Sequence, residues 1–203
     1  MVVKISILLC ALMLLAAGPV VAFDATPEQN LLVEQGVAFY DDEEFEKAKA
    51  ILLPLAESGH PKAMNIVGLM TKYGKGFRKD VVLACDWYER SAKAGYSSAM
   101  YNMSICYDGK GRVADTVLSR DWLLKASAHG YIPAMINLSS LDKSEGEDYR
   151  YWMNQAREHG SVYAKVDLYL QGYAHDVPDL YIQDKVCVYV RILILGGDLL
   201  DCD

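Results

Sequence analysis

Four histidines, five cysteines and a run of four carboxylates are the side chains whose types could carry chemistry. His60, His129, His159 and His175 invite a metal or general-base role, but two of them, His129 and His159, sit at one recurring position beside a glycine. Equivalent positions in stacked helical units lie at least about 8–10 Å apart. Zinc ligands must converge to about 2 Å from one ion. The histidines therefore read as solvent-edge residues at the corners of a repeat. No C-x-x-C occurs, and the spacings of 21, 81 and 15 between Cys85, Cys106, Cys187 and Cys202 match no zinc pattern. Gly74-Lys75-Gly76 and Gly109-Lys110-Gly111 lack the strand, the extra glycines and the Lys-Ser/Thr pair of a phosphate loop. They read as inter-helix loops with solvated lysines. Asp41-Asp42-Glu43-Glu44 reads as a helix N-terminus, where the dipole favours carboxylates. Ser, His and Asp occur, but no nucleophile elbow or zincin motif gathers them. The expectation is no enzyme, no cofactor and no metal.

Composition narrows the partners. The 203 residues carry 27 acidic and 20 basic side chains, a net charge of −7, with 52% apolar and 23% charged residues. That balance is globular and disfavours nucleic acid, whose binding needs clustered Lys and Arg. Lys4, the apolar run from Ile5 to Ala17 and the small residues at Val20-Val21-Ala22 describe a secretory signal cleaved after Ala22. The run is short for a membrane span, which needs about 20 apolar residues. Residues 1–22 are thus expected to leave an exported, periplasmic chain, 23–203, without a membrane span.

A repeat must position everything else. Trp87 to Gly95 reads WYERSAKAG, Trp122 to Gly130 reads WLLKASAHG, and Trp152 to Gly160 reads WMNQAREHG. Upstream stand AMNIVG from Ala63, AMYNMS from Ala99 and AMINLS from Ala134. Gly59, Gly95, Gly130, Gly160 and Gly196 are spaced by 36, 35, 30 and 36 residues. Each unit holds two segments of helical period around a glycine-rich loop, and each ends at a Gly suited to a left-handed cap. The apolar run VCVYVRILIL alternates like a strand, but its register against the earlier units makes it a second helix. Such hairpins cannot bury both faces alone, so they must stack.

The pattern A-x-x-x-L-G, a G-x-G loop and W-Y-x-K-A-A-x-x-G resembles the Sel-one-like repeat (SLR) family, a 36-residue relative of tetratricopeptide repeats. Ser104 and Ser139 depart from it, replacing the helix-A glycine represented by Gly68. The resemblance implies an all-α, right-handed α-solenoid of antiparallel helix hairpins: one domain with units near 28–60, 61–96, 97–131, 132–161 and 162–197, and a tail at 198–203. It also implies a protein-binding scaffold without catalysis. In such solenoids helix A lines the concave face, here Asn65, Leu69 and Lys72, then Tyr101, Ile105 and Asp108, then Ile136, Ser140 and Lys143, then Val166, Leu170 and Tyr173.

Two further expectations concern the cysteines and the C-terminal end. Cys85 and Cys106 are nearly equidistant from Gly95, so adjoining antiparallel helices bring them together as a disulfide pair. A Cys187–Cys202 bridge would pin the tail. Val186 to Leu195 carries one charge, Arg191, leaving an apolar patch around Val190, Leu193 and Ile194 for a partner or for a homodimer. Signal, size, acidity and missing catalytic residues fit a periplasmic immunity protein that blocks a secreted antibacterial effector, phospholipases included. A structural or regulatory envelope adaptor fits the same residues.

Overall fold

Helix starts follow from a few capping side chains. Thr26 opens α1 (Pro27–Asp41) with a capping box: the Gln29 N–H donates to its hydroxyl at 3.2 Å, and the Thr26 N–H donates to Gln29 Oε1 at 3.0 Å. Asp80 opens α4 (Val81–Lys93) and Asp115 opens α6 (Thr116–Ala128); each carboxylate accepts a backbone N–H three residues on, from Leu83 and Leu118, at 2.9 Å. His60 opens α3 (Pro61–Tyr73), where Pro61 occupies the first turn and needs no N–H partner. The remaining helices are α2 (Phe45–Glu57), α5 (Ser97–Ile105), α7 (Ile132–Leu141), α8 (Gly146–Glu158) and α9 (Val162–Leu170). The computed structural model describes residues 25–141 and 146–171, and among these there is no strand.

The chain forms two compact units, the first ending at Tyr96 and the second beginning at Ser97, the boundary between two repeats. In the first unit α1 packs on α2, α2 on α3 and α3 on α4, and α1 also reaches α3. Val33, Ala48, Leu52, Val67 and Met70 are fully buried between them. In the second unit α5 through α9 each pack on the next helix in the chain. Met135, Met153, Ala156, Ala164 and Leu168 form the core there. The all-α architecture of consecutive helix hairpins is the one the repeat spacing demands.

Two loops close the same way. After α3, Gly74 takes the left-handed conformation with φ 74°, and the Asp80 N–H returns to Thr71 O at 3.0 Å. After α5 the chain makes a wide turn over Cys106–Lys110, Gly109 takes φ 80°, and the Asp115 N–H returns to Tyr107 O at 2.9 Å. A side chain's Cβ strains a positive φ, so glycine holds both corners.

Gly68 meets a different demand. A Cβ there would lie 2.7 Å from Tyr88 Cε1 and 3.2 Å from the Ala84 carbonyl. Tyr88 fills the contact of α4 with α3 and is buried.

Three expectations need correction. The acidic run does not open a helix as a block: Asp41 ends α1, Asp42 caps its C-terminus, Glu43 has φ 62°, and only Glu44 stands at the start of α2. The turn between α1 and α2 is shorter than the charge pattern suggested, so half the run falls where the dipole disfavours it. Lys75 is not simply solvated, because its ammonium lies 5.1 Å from the Tyr40 ring centre and 4.7 Å from that of Phe45. His60 is not a solvent-edge residue but is 4% exposed, because α1 covers it.

Candidate interaction surface

The face expected to bind a partner is best developed in the second unit. Tyr101 stands on α5, and its ring lies 5.4 Å from that of Tyr131, just before α7, at 51°. Such tilted pairs align ring edge against ring face. Asn137 on α7 donates from Nδ2 to the Tyr101 hydroxyl at 3.2 Å, and the Tyr131 hydroxyl lies 3.4 Å from Ser98 Oγ. Tyr101, Tyr131, Asn137 and Ser98 are all half-buried. The cluster thus presents aromatic area and hydroxyl groups already held in place, which lowers the entropy cost of binding.

The other expected positions differ in character. Ile105 and Val166 are half-buried, Ile136 packs against the lower core, and Ser140 is exposed with its hydroxyl donating to Ile136 O at 3.1 Å. Asp108 is exposed beside Lys110, 3.5 Å away. In the first unit Asn65 is 5% exposed, below the surface, whereas Leu69 and Lys72 are half-buried. The Lys72 ammonium lies 5.1 Å from the Tyr73 ring centre. The Leu170 side chain, Lys143 and Tyr173 lie outside the described residues, as do the apolar patch Val190, Leu193 and Ile194 and both Cys187 and Cys202.

Cys85 and Cys106 are each disulfide-bonded and buried. Their sulfurs are therefore closed to thiolate chemistry or metal binding. Among the described residues no three His, Cys, Asp or Glu side chains gather where an ion could sit. His129 and His159 are exposed; His159 Nδ1 lies 2.9 Å from its own helix carbonyl at Gln155, and His175 is outside the described residues. No helix among the described residues is long and apolar enough to cross a membrane.

Two features went unread in the sequence. One is a shallow groove on α6 bounded by Thr116, Val117, Arg120, Asp121, Leu124 and, from α7, Leu141. Val117 is 76% exposed and Leu141 59%. Its signal was the apolar pair after each capping aspartate, Val82-Leu83 after Asp80 and Val117-Leu118 after Asp115, all four exposed. The other is the Tyr88 hydroxyl, buried without a hydrogen-bond partner among the described residues. Burial pushes its pKa up from the usual value, and Tyr73 and Tyr40 add to the rise. It stays protonated and serves packing.

Comparison with known proteins agrees with the repeat architecture. The family described as Sel1 repeat matches residues 61–96 and 97–131. A Sel1 repeat protein from Oxalobacter formigenes is structurally similar, with TM-score 0.61 and 25% identity, over 70% of this chain and 62% of that one. So is c5321, a protective antigen present in uropathogenic Escherichia coli strains displaying an SLR fold, with TM-score 0.60 and 24% identity, over 71% of this chain and 34% of that one. The chain thus spans less than two thirds of either neighbour's length. No curated protein matches it.

Proposed function

We propose that this chain, whose residues 61–96 and 97–131 match the Sel1 repeat family, is an exported, non-enzymatic module that captures a protein partner on its helix-A face. Sel1 repeats are protein-interaction scaffolds, so the coarse role comes with the family. The observation that carries the finer reading is the preset Tyr101–Tyr131–Asn137 cluster, since rigid tyrosines with placed hydroxyls are what interface centres use. The signal-like N-terminus supports periplasmic residence. In its specific form the partner is a secreted antibacterial effector, and this chain is the producer's immunity protein.

The test joins capture to challenge. Co-purification from periplasm identifies the partner, and Tyr101→Ala is expected to weaken binding by roughly tenfold or more. A strain lacking the chain should then be killed by effector-producing neighbours. Survival together with an envelope-assembly partner would replace the immunity role with the adaptor role. Unchanged capture by Tyr101→Ala would move the site off this face.

A further inference from the structure

Thr26, Asp80, Asp115 and Ser161 cap their helices through side-chain oxygen, but His60 does so through a ring nitrogen. The Ala63 N–H donates to His60 Nδ1 at 3.4 Å, as the Ala164 N–H donates to Ser161 Oγ at 3.1 Å. His60 and Ser161 hold the same repeat position, directly after the closing glycines Gly59 and Gly160. They differ in one chemical respect: the imidazole titrates near neutrality and the hydroxyl does not.

The cap fixes the tautomer. A backbone N–H can only donate, so Nδ1 keeps its lone pair and the proton sits on Nε2. Nε2 faces Asn30 Oδ1 on α1 at 3.2 Å and donates to it. One neutral ring therefore ties the first turn of α3 to α1. Lys62 on α3 makes a second tie, to Glu34 on α1 at 2.6 Å. From α2 the Leu55 carbonyl accepts the His60 N–H at 3.0 Å, and from α4 the uncharged Ser91 donates to Pro61 O at 2.7 Å. Among the described residues, Lys62 opposes a proton on the ring through its charge and Glu34 favours one.

We propose that His60 is a proton-operated latch on the first turn of α3. When Nδ1 takes a proton from solvent, its lone pair becomes an N–H bond and Ala63 N–H loses its acceptor, so the cap opens while Nε2–H still donates to Asn30.

Burial is the largest influence on the ring and holds its pKa below the ordinary 6.5; a hydrogen bond with its own backbone pulls the other way. The unfolded chain therefore takes up this proton first. The latch contributes fully above about 6.5 and weakens as pH falls through that value. The loss levels off once pH is below the folded pKa.

Hydrogen exchange on the intact chain at pH 7.5 and pH 5, corrected for intrinsic rates, tests this. In wild type, the first turn of α3, Ala63 above all, should lose roughly fivefold protection at the lower pH, the size of a lost cap, while α1 keeps its own. His60→Ser, which copies the cap at Ser161, should keep its protection at both. Equal protection at the two pH values in wild type, or the same loss in His60→Ser, overturns the latch. Should His60→Ser fail to fold, wild type decides: the Ala63 amide should titrate together with the His60 ring, and an Ala63 amide that does not follow the ring refutes the latch.

Discussion

Repeat one, residues 61–96, and repeat two, residues 97–131, place different contents in the same backbone. Both open helix B on an aspartate at 2.9 Å, both close the loop with that aspartate's N–H, and both hold a cation 4.4 Å from the tryptophan three residues before it, Arg90 on Trp87 and Lys125 on Trp122. Inside, they diverge. Repeat one pairs Gly68 with Tyr88, whereas repeat two has Ser104 and Leu123 at the same two positions. Repeat three follows the second pattern, with Ser139 and Met153. The departure of Ser104 and Ser139 from the family glycine thus has a physical reason. Glycine is needed where a tyrosine ring lies against the helix, and Leu or Met leaves room for a serine. Each serine turns its hydroxyl back to its own helix, to Tyr101 O and Ile136 O, both at 2.7 Å. The frame is specified by polar ends, and the filling is set pairwise.

Exchanging the filling gives the largest expected effect. Gly68→Ser should destabilise by about 1–3 kcal/mol, because the new atoms meet a buried ring. Adding Tyr88→Leu converts repeat one to the repeat-two pair, and the double variant should recover at least about 1 kcal/mol of the summed single losses. Chemical denaturation of the four proteins measures the coupling. Additive losses would show that the two positions are chosen independently.

The frame should respond alike in both repeats. Asp80→Ala and Asp115→Ala should each cost about 1 kcal/mol, equal within error, since each removes one acceptor from the same turn. Unequal melting shifts would break the claim of a common frame. The smallest contrast lies in the loops. Lys75→Ala loses contact with two rings and should cost about 0.5–1 kcal/mol, whereas Lys110→Ala should leave the melting temperature unchanged.

The frame was legible in the sequence because its determinants are local. Pro61, Asp80, Asp115 and the corner glycines act on backbone within three or four residues, so spacing alone places them. What stayed hidden depends on distant partners. Nothing around His60 announces that Asn30 will cover it, and nothing around Lys75 announces the Tyr40 and Phe45 rings. The helical register put Asn65 and Tyr101 at one repeat position, yet one is buried and the other half-exposed, because burial depends on what packs outside the helix. The acidic run misled for another reason: four carboxylates mark a helix boundary without saying which side of it each one takes.

Within each unit, helices pack chiefly on the helix before and the helix after. Contacts therefore join residues close along the chain, and loop closure costs little before contacts form. Such a polypeptide can condense one hairpin at a time from its N-terminus as it leaves the ribosome, without waiting for its last residues.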